Sequence, residues 1–205
     1  MSRRSFDVRI HGRGGQGVVT TAELLAAAAF SEGQRAQAFP SFGSERTGAP
    51  VVSFCRLADS PIRRHEPIVA PDGLLIIDPT LIHQVDVFAG LDAGAYVLIN
   101  SSRNLRDLQL EDLLARCRPE RLRTVAATDL ARQELGRPLP NAALLGGFAA
   151  LSGAVSIDSV LQAIRRRFPE QVGEGNARAA QLAFDLVAAQ TPEPAAAAGS
   201  GMRDA

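Results

Sequence analysis

The residues with the clearest chemical potential come early, where Gly12, Gly14 and Gly17 fit the spacing GxGxxG within His11-Gly12-Arg13-Gly14-Gly15-Gln16-Gly17. The pattern follows a short alternating apolar run and precedes a long Ala- and Leu-rich segment. A strand, a glycine turn and a helix in that order suit an anion: N–H groups at a helix N-terminus point outward, and glycines let a ligand approach the backbone. An NAD site also needs Asp or Glu about 20 residues on, at the end of the second strand, to hold the ribose hydroxyls. Here that region reads Arg35-Ala36-Gln37-Ala38-Phe39, with no acid. Arg35 could instead suit a 2′-phosphate, which keeps NADP open. The glycines have a purely structural reading as well, tight packing of a strand against a helix.

Other groups carry weaker signals. Residues 39–50 fit neither a helical nor a strand period, and they hold two prolines, two glycines and the pair Glu45 and Arg46. Loops of that length inside a compact domain are often functional. Asp78 ends a buried apolar run, at the strand edge where open α/β sheets bind ligands; it also reads as a cap before Pro79. His11, His65 and His83 lack metal-ligand spacing, and His11 stands out only because it abuts the glycine turn. Ser41 and Ser44 have no nucleophile-elbow setting. Arg supplies every basic residue, so no Lys is present as a Schiff base or phosphate ligand. Cys55 and Cys117 are too few and too far apart for an iron–sulfur cluster or a zinc site, and read as reduced, partly buried thiols.

The elements that must position these groups alternate. Strands are expected over residues 6–10, 34–38, 51–57, 74–77, 96–100 and 122–126, and helices over 18–30 and 105–116. Gly33 serves as the first helix stop. That order argues for a mainly parallel sheet. After Thr128 the reading is helical, over 129–135, 141–151, 158–168 and 174–189, with Ser156 or Asp158 as a cap. The expected architecture is therefore α/β: a Rossmann-like three-layer domain over residues 1–190, with a helical C-terminal part and a disordered tail over 191–205. The chain of 205 residues, 46% hydrophobic, is long enough for one such core. Its 22 basic and 22 acidic residues balance, which gives no general attraction to nucleic acid or anionic lipid. No run approaches a membrane span, and the Met-Ser-Arg-Arg start lacks a signal-peptide core, so a cytoplasmic location is expected.

Several of these segments resemble one family. Gly12 to Val18 with the Ala/Leu helix that follows is similar to the opening of the gamma subunit of 2-oxoacid:ferredoxin oxidoreductases. Gln37-Ala38-Phe39-Pro40-Ser41-Phe42-Gly43-Ser44-Glu45-Arg46-Thr47-Gly48-Ala49-Pro50 resembles that family's segment after the second strand, in a pyruvate-type variant. It has Ser44 where Pro is common and one residue fewer between Glu45 and Arg46. The Asn141 helix with its Leu-Gly, and the Glu-x-Asn element at residues 174–177, are further matches. The resemblance covers residues 5–190. It implies a chain that works with alpha, beta and delta subunits to convert a 2-oxoacid and coenzyme A into acyl-CoA and CO2, passing electrons to ferredoxin or another acceptor. Thiamine diphosphate, Mg and 4Fe–4S clusters would sit on the partners. This chain lacks the GDG…N thiamine pattern, the nearest stretch being Pro71-Asp72-Gly73, and would be a necessary, non-catalytic partner holding no cofactor alone. The resemblance also implies that Gly12, Arg13, Gly14, Gly15, Gln16 and Gly17, with Phe42, Gly43, Glu45 and Arg46, face coenzyme A or the catalytic subunits. A free NAD(P)-binding oxidoreductase and a pure assembly scaffold remain the alternatives.

Overall fold

The computed structural model describes residues 5–41 and 48–190. Six strands form one sheet in the order β2-β3-β1-β4-β5-β6. They are β1 (Phe6–Arg13), β2 (Arg35–Pro40), β3 (Pro50–Ala58), β4 (Gly73–Ile76), β5 (Tyr96–Asn100) and β6 (Leu122–Val125). β1, β4, β5 and β6 pair in parallel, whereas β3 runs antiparallel to both β1 and β2. The expected mainly parallel sheet is thus present, with one reversed strand inserted beside β1. That reversal carries β2 to the sheet edge, one strand away from β1.

Alternation along the strands decides what each face holds. Val8, Ile10, Cys55, Leu57, Leu75 and Leu98 point into one core, which is covered by α1 (Val18–Ser31), α4 (Asn141–Ser152) and the C-terminal helices α5 (Ile157–Arg167) and α6 (Glu170–Gln190). Leu74, Ile76, Val97 and Ile99 point into a second core. A 3-10 turn at Pro79–His83, irregular chain and the short α2 (Glu111–Arg116) close that side. The other expected turns of the 105–116 helix are not helical: the chain there passes through Gln109 at φ 58°, which no continuous right-handed helix tolerates. The described C-terminal helices, with α3 (Ala127–Leu135), fall where their periods place them, and Ser156 caps α5 by accepting from the Ser159 N–H. The expected tail over 191–205 lies outside the described residues.

α4 is apolar on all sides because it is buried on all sides. The sheet lies under it and α6 crosses over it, and both approaches use glycine. A Cβ at Gly146 would stand 2.1 Å from the Ala180 carbonyl oxygen on α6, and one at Gly147 would stand 3.1 Å from Leu98 Cδ2 on β5. Gly146→Ala should therefore push α4 and α6 apart and cost about 1–3 kcal/mol or more. In thermal unfolding this reads as a fall of about 2–4 °C per kcal/mol for a domain of this size; an unchanged midpoint would show that the crossing tolerates a wider separation.

Candidate functional site

The site is built at the C-terminal end of β1. Alternation puts Asp7, Arg9, His11 and Arg13 on the face opposite Val8, Ile10 and Gly12. Gly12 lies inside the strand, where a Cβ would come within 2.6 Å of Val18 Cγ2, so this first glycine of the motif is present for packing. Arg13, half-buried, turns into a hydrogen-bonded cluster. Its Nε donates to Asp78 Oδ2 at 2.9 Å, one terminal nitrogen to the Gly48 carbonyl at 3.1 Å, and the other to Thr80 Oγ1 and Gln84 Oε1, each at 2.8 Å. Gln16 joins the cluster, donating to Asp78 Oδ2 at 2.9 Å while its Oε1 accepts from the Arg13 backbone N–H at 2.7 Å. Asp78 also caps the 3-10 turn by accepting from the Thr80 N–H. Burial pushes the Asp78 carboxyl up, but hydrogen bonds from Thr80 and Gln16 and the Arg13 charge outweigh it and hold the group below the usual carboxylate range. The cap reading of Asp78 is the one realised, and the cap doubles as the anchor of Arg13.

The other side of the glycine turn opens onto a cavity of 560 Å³. Gly15, Gly17 and Thr20 form one wall, Leu139 and Asn141 a second, and Gln171, Val172 and Asn176 a third. Three helices begin there. α1 starts after Gly17, whose φ of 79° is open to glycine and strained for other L-residues; a Cβ there would also lie 2.9 Å from Asn141 Cγ. α4 starts at Asn141, and α6 just before Gln171. Neither α1 nor α4 has a side-chain cap or an acid in its first turn, so their leading N–H groups have no partner from the helix itself. Asn141 is 6% exposed. Asn176, 5% exposed, donates to the Val172 carbonyl at 2.9 Å. Two arginines line the cavity: Arg178 holds Glu134 at 2.8 Å, and Arg137 is exposed and pairs with no acid among the described residues.

Of the residues expected from sequence, the structure brings Gly15 and Gly17 to the cavity and turns Arg13 and Gln16 into the Asp78 cluster on the other side. Gly14 pairs with the loop ahead of β3, donating to the Ala49 carbonyl at 3.0 Å and accepting from the Gly48 N–H at 3.2 Å. Phe42, Gly43, Glu45 and Arg46 lie outside the described residues, as does Ser44. Within the expected loop, Phe39 and Pro40 are strand residues of β2 and Pro50 belongs to β3. Cys55 and Cys117 are buried in different cores on opposite faces of the sheet and cannot share a ligand. Asn141 and Asn176 were not among the site residues expected from the sequence. Their signal was the family motif around each, not residue chemistry.

The geometry speaks against a dinucleotide site of the NAD(P) kind. Such a site needs β2 beside β1, and β3 occupies that place. Arg35, the residue that kept NADP open, pairs with Ala58 at the end of the sheet where β1 begins. The glycine turn is at the other end, a strand length or about 20 Å away.

A family model described as pyruvate ferredoxin/flavodoxin oxidoreductase matches residues 7–186. The chain belongs to this family. Pyruvate synthase subunit PorC of Methanothermobacter thermautotrophicus is 46% identical over 182 residues, covering 89% of this chain and 96% of the relative. The pyruvate/ketoisovalerate oxidoreductases common subunit gamma of Thermococcus kodakarensis is 46% identical over 180 residues, covering 88% and 96%. The crystal structure of pyruvate oxidoreductase subunit PORC from Thermotoga maritima superposes with a TM-score of 0.74 at 30% identity, covering 89% of this chain and 97% of that one. With relatives matched nearly end to end, the chain is an oxidoreductase subunit of the gamma type.

His11 supplies a test of the β1 geometry. It is 6% exposed, and neither ring nitrogen has a hydrogen-bond partner. Burial first, and the Arg9 charge second, push its pKa down from 6.5 to about 4. The folded chain therefore resists a proton that the unfolded chain accepts. Stability present above about pH 6.5 should be lost as pH falls toward about 4, by an amount on the order of 1–3 kcal/mol. Denaturant titrations over that range should show the loss, and His11→Leu should flatten it; an equal slope in both proteins would place the titrating group elsewhere.

Proposed function

We propose that this chain works as the gamma subunit of a multi-subunit, thiamine-diphosphate-dependent 2-oxoacid:acceptor oxidoreductase, supporting the coenzyme A-dependent oxidative decarboxylation of a 2-oxoacid to an acyl-CoA and CO2. The observation that carries this is the near end-to-end match, at 46% identity, to relatives that are themselves subunits of pyruvate and ketoisovalerate enzymes. In this reading alpha, beta and delta partners hold thiamine diphosphate, Mg and the iron–sulfur clusters, and electrons leave to ferredoxin or another acceptor. Among the described residues no three or more His, Cys, Asp or Glu side chains gather that could hold a metal ion. The gamma subunit contributes surfaces: the glycine turn, with Phe42, Gly43, Glu45 and Arg46, faces coenzyme A or the catalytic subunits.

The Asp78 cluster gives this role a physical basis. It ties the end of β1, the chain at Gly48 and the 3-10 turn into one unit, so that a neighbour or ligand meets a fixed surface. Such pre-organisation lowers the ordering cost of association. A native pull-down of the chain from its own cells, read by mass spectrometry and visible absorption, tests the proposal. Brown, thiamine-containing partners of larger size are expected. A colourless monomer or homodimer would contradict it.

A further inference from the structure

α1 and α5 pack against each other over the sheet, and their outer sides form one open face. Between them lies a hollow of 290 Å³ with Leu24, Ala27 and Ala163 as its apolar lining and Glu23, Arg166 and Arg167 among the residues at its rim. Phe30 follows Ala27 by three positions, which places both on one side of α1. Its side chain is 67% exposed, and among the described residues it is the only aromatic ring so open. A lone exposed apolar residue needs no explanation. A ring beside an apolar hollow of about its own size is different, because one surface then carries both a knob and a hole.

The charges at the rim are also complementary to one another. α1 supplies the acid Glu23, and α5 ends in Arg165, Arg166 and Arg167. Arg165 is held by Glu174 at 2.7 Å. Arg167 reaches Glu23 only at 4.0 Å, with both side chains half exposed, a pairing that contributes little within one chain. Arg166 pairs with no acid among the described residues. Glu23 and Arg166 are therefore both open to a neighbour. Phe30 lies about 18 Å along α1 from Val18, so a neighbour that covers the glycine turn does not thereby cover this face.

We infer that this face joins two copies of the chain across a two-fold axis, with Phe30 of each copy seated in the hollow of the other and Glu23 of each against Arg166 of the other. A two-fold contact requires a surface complementary to itself. Ring and hollow meet that requirement in shape, and Glu23 and Arg166 meet it in charge. A partner of different sequence would need only one half of each pair. The contact closes at two copies, since both knobs and both hollows are then filled. The inference goes beyond the proposed function and does not rest on it.

Sedimentation of the isolated full chain from about 1 µM to about 1 mM tests it, and should show a reversible shift from one copy to two. Phe30→Arg removes the knob at an exposed position that the core does not use. It should raise the dissociation constant roughly thirtyfold or more while leaving the unfolding midpoint of the dilute chain unchanged. Glu23→Arg and Arg166→Glu should each weaken pairing, because like charges then face each other across the axis. An equimolar mixture of those two variants should pair again, since each presents the charge the other lacks. Rescue by mixing requires direct contact between copies, and a merely structural role for either residue would not produce it. A chain still monomeric at about 1 mM overturns the inference. So does a Phe30→Arg variant that pairs as well as the parent, or a mixture that pairs no better than its components. Phe30 cross-linked to a subunit of different sequence in the assembled enzyme overturns it as well. A monomeric chain that still brings down brown partners refutes this contact alone, whereas a chain that pairs and assembles with nothing else refutes the proposed function.

Discussion

The closeness of β1 to the start of α1 is the constraint on which the rest depends. Gly12 leaves no room for a Cβ beside Val18, and Gly17 takes a backbone conformation that strains other residues while lying against Asn141. The chain can therefore leave the sheet, turn within a few residues and start a helix directly on the core. Because α1 begins so close to the sheet, the start of α4 fits beside it, and α6, which crosses α4 at Gly146, brings its own start to the same place. A bulkier residue at any of these three glycines would separate helices whose first turns now share one cavity.

The glycine turn has two sides with different tasks. On one, Arg13 and Gln16 converge on Asp78 and tie together chain segments more than thirty residues apart in sequence. Those bonds are charge-assisted and partly shielded from water, the setting in which ion pairs rigidify most effectively. On the other side the same turn presents Gly15 and Gly17 to the cavity. Rigidity on the first side holds the backbone on the second, which gives a gamma subunit an ordered surface there.

Much of this fold was legible in the sequence because local pattern and burial agree. The buried parallel strands read as apolar runs, α1 and the C-terminal helices as Ala/Leu-rich or amphipathic periods, and Ser156 as a cap. Two features were not legible. The reversed β3 has the same composition as a parallel strand, since direction is set by pairing partners distant in sequence; yet it moves β2 to the edge and removes the dinucleotide geometry that GxGxxG invites. The 105–116 segment has helical composition but yields to Gln109, whose positive φ no propensity scale signals. In the site, the glycines were legible from their spacing. Asn141 looked like an ordinary helix start, because its burial arises only when α4 is set beside Gly17.

The most direct measurement is a density map of the assembled oxidoreductase prepared with coenzyme A. The chain packed on larger partners, its glycine turn covered by a neighbouring subunit or coenzyme A and Arg13 still on Asp78, is the result this account predicts. A glycine turn left open to solvent in the assembly, or Arg13 released from Asp78, would contradict it.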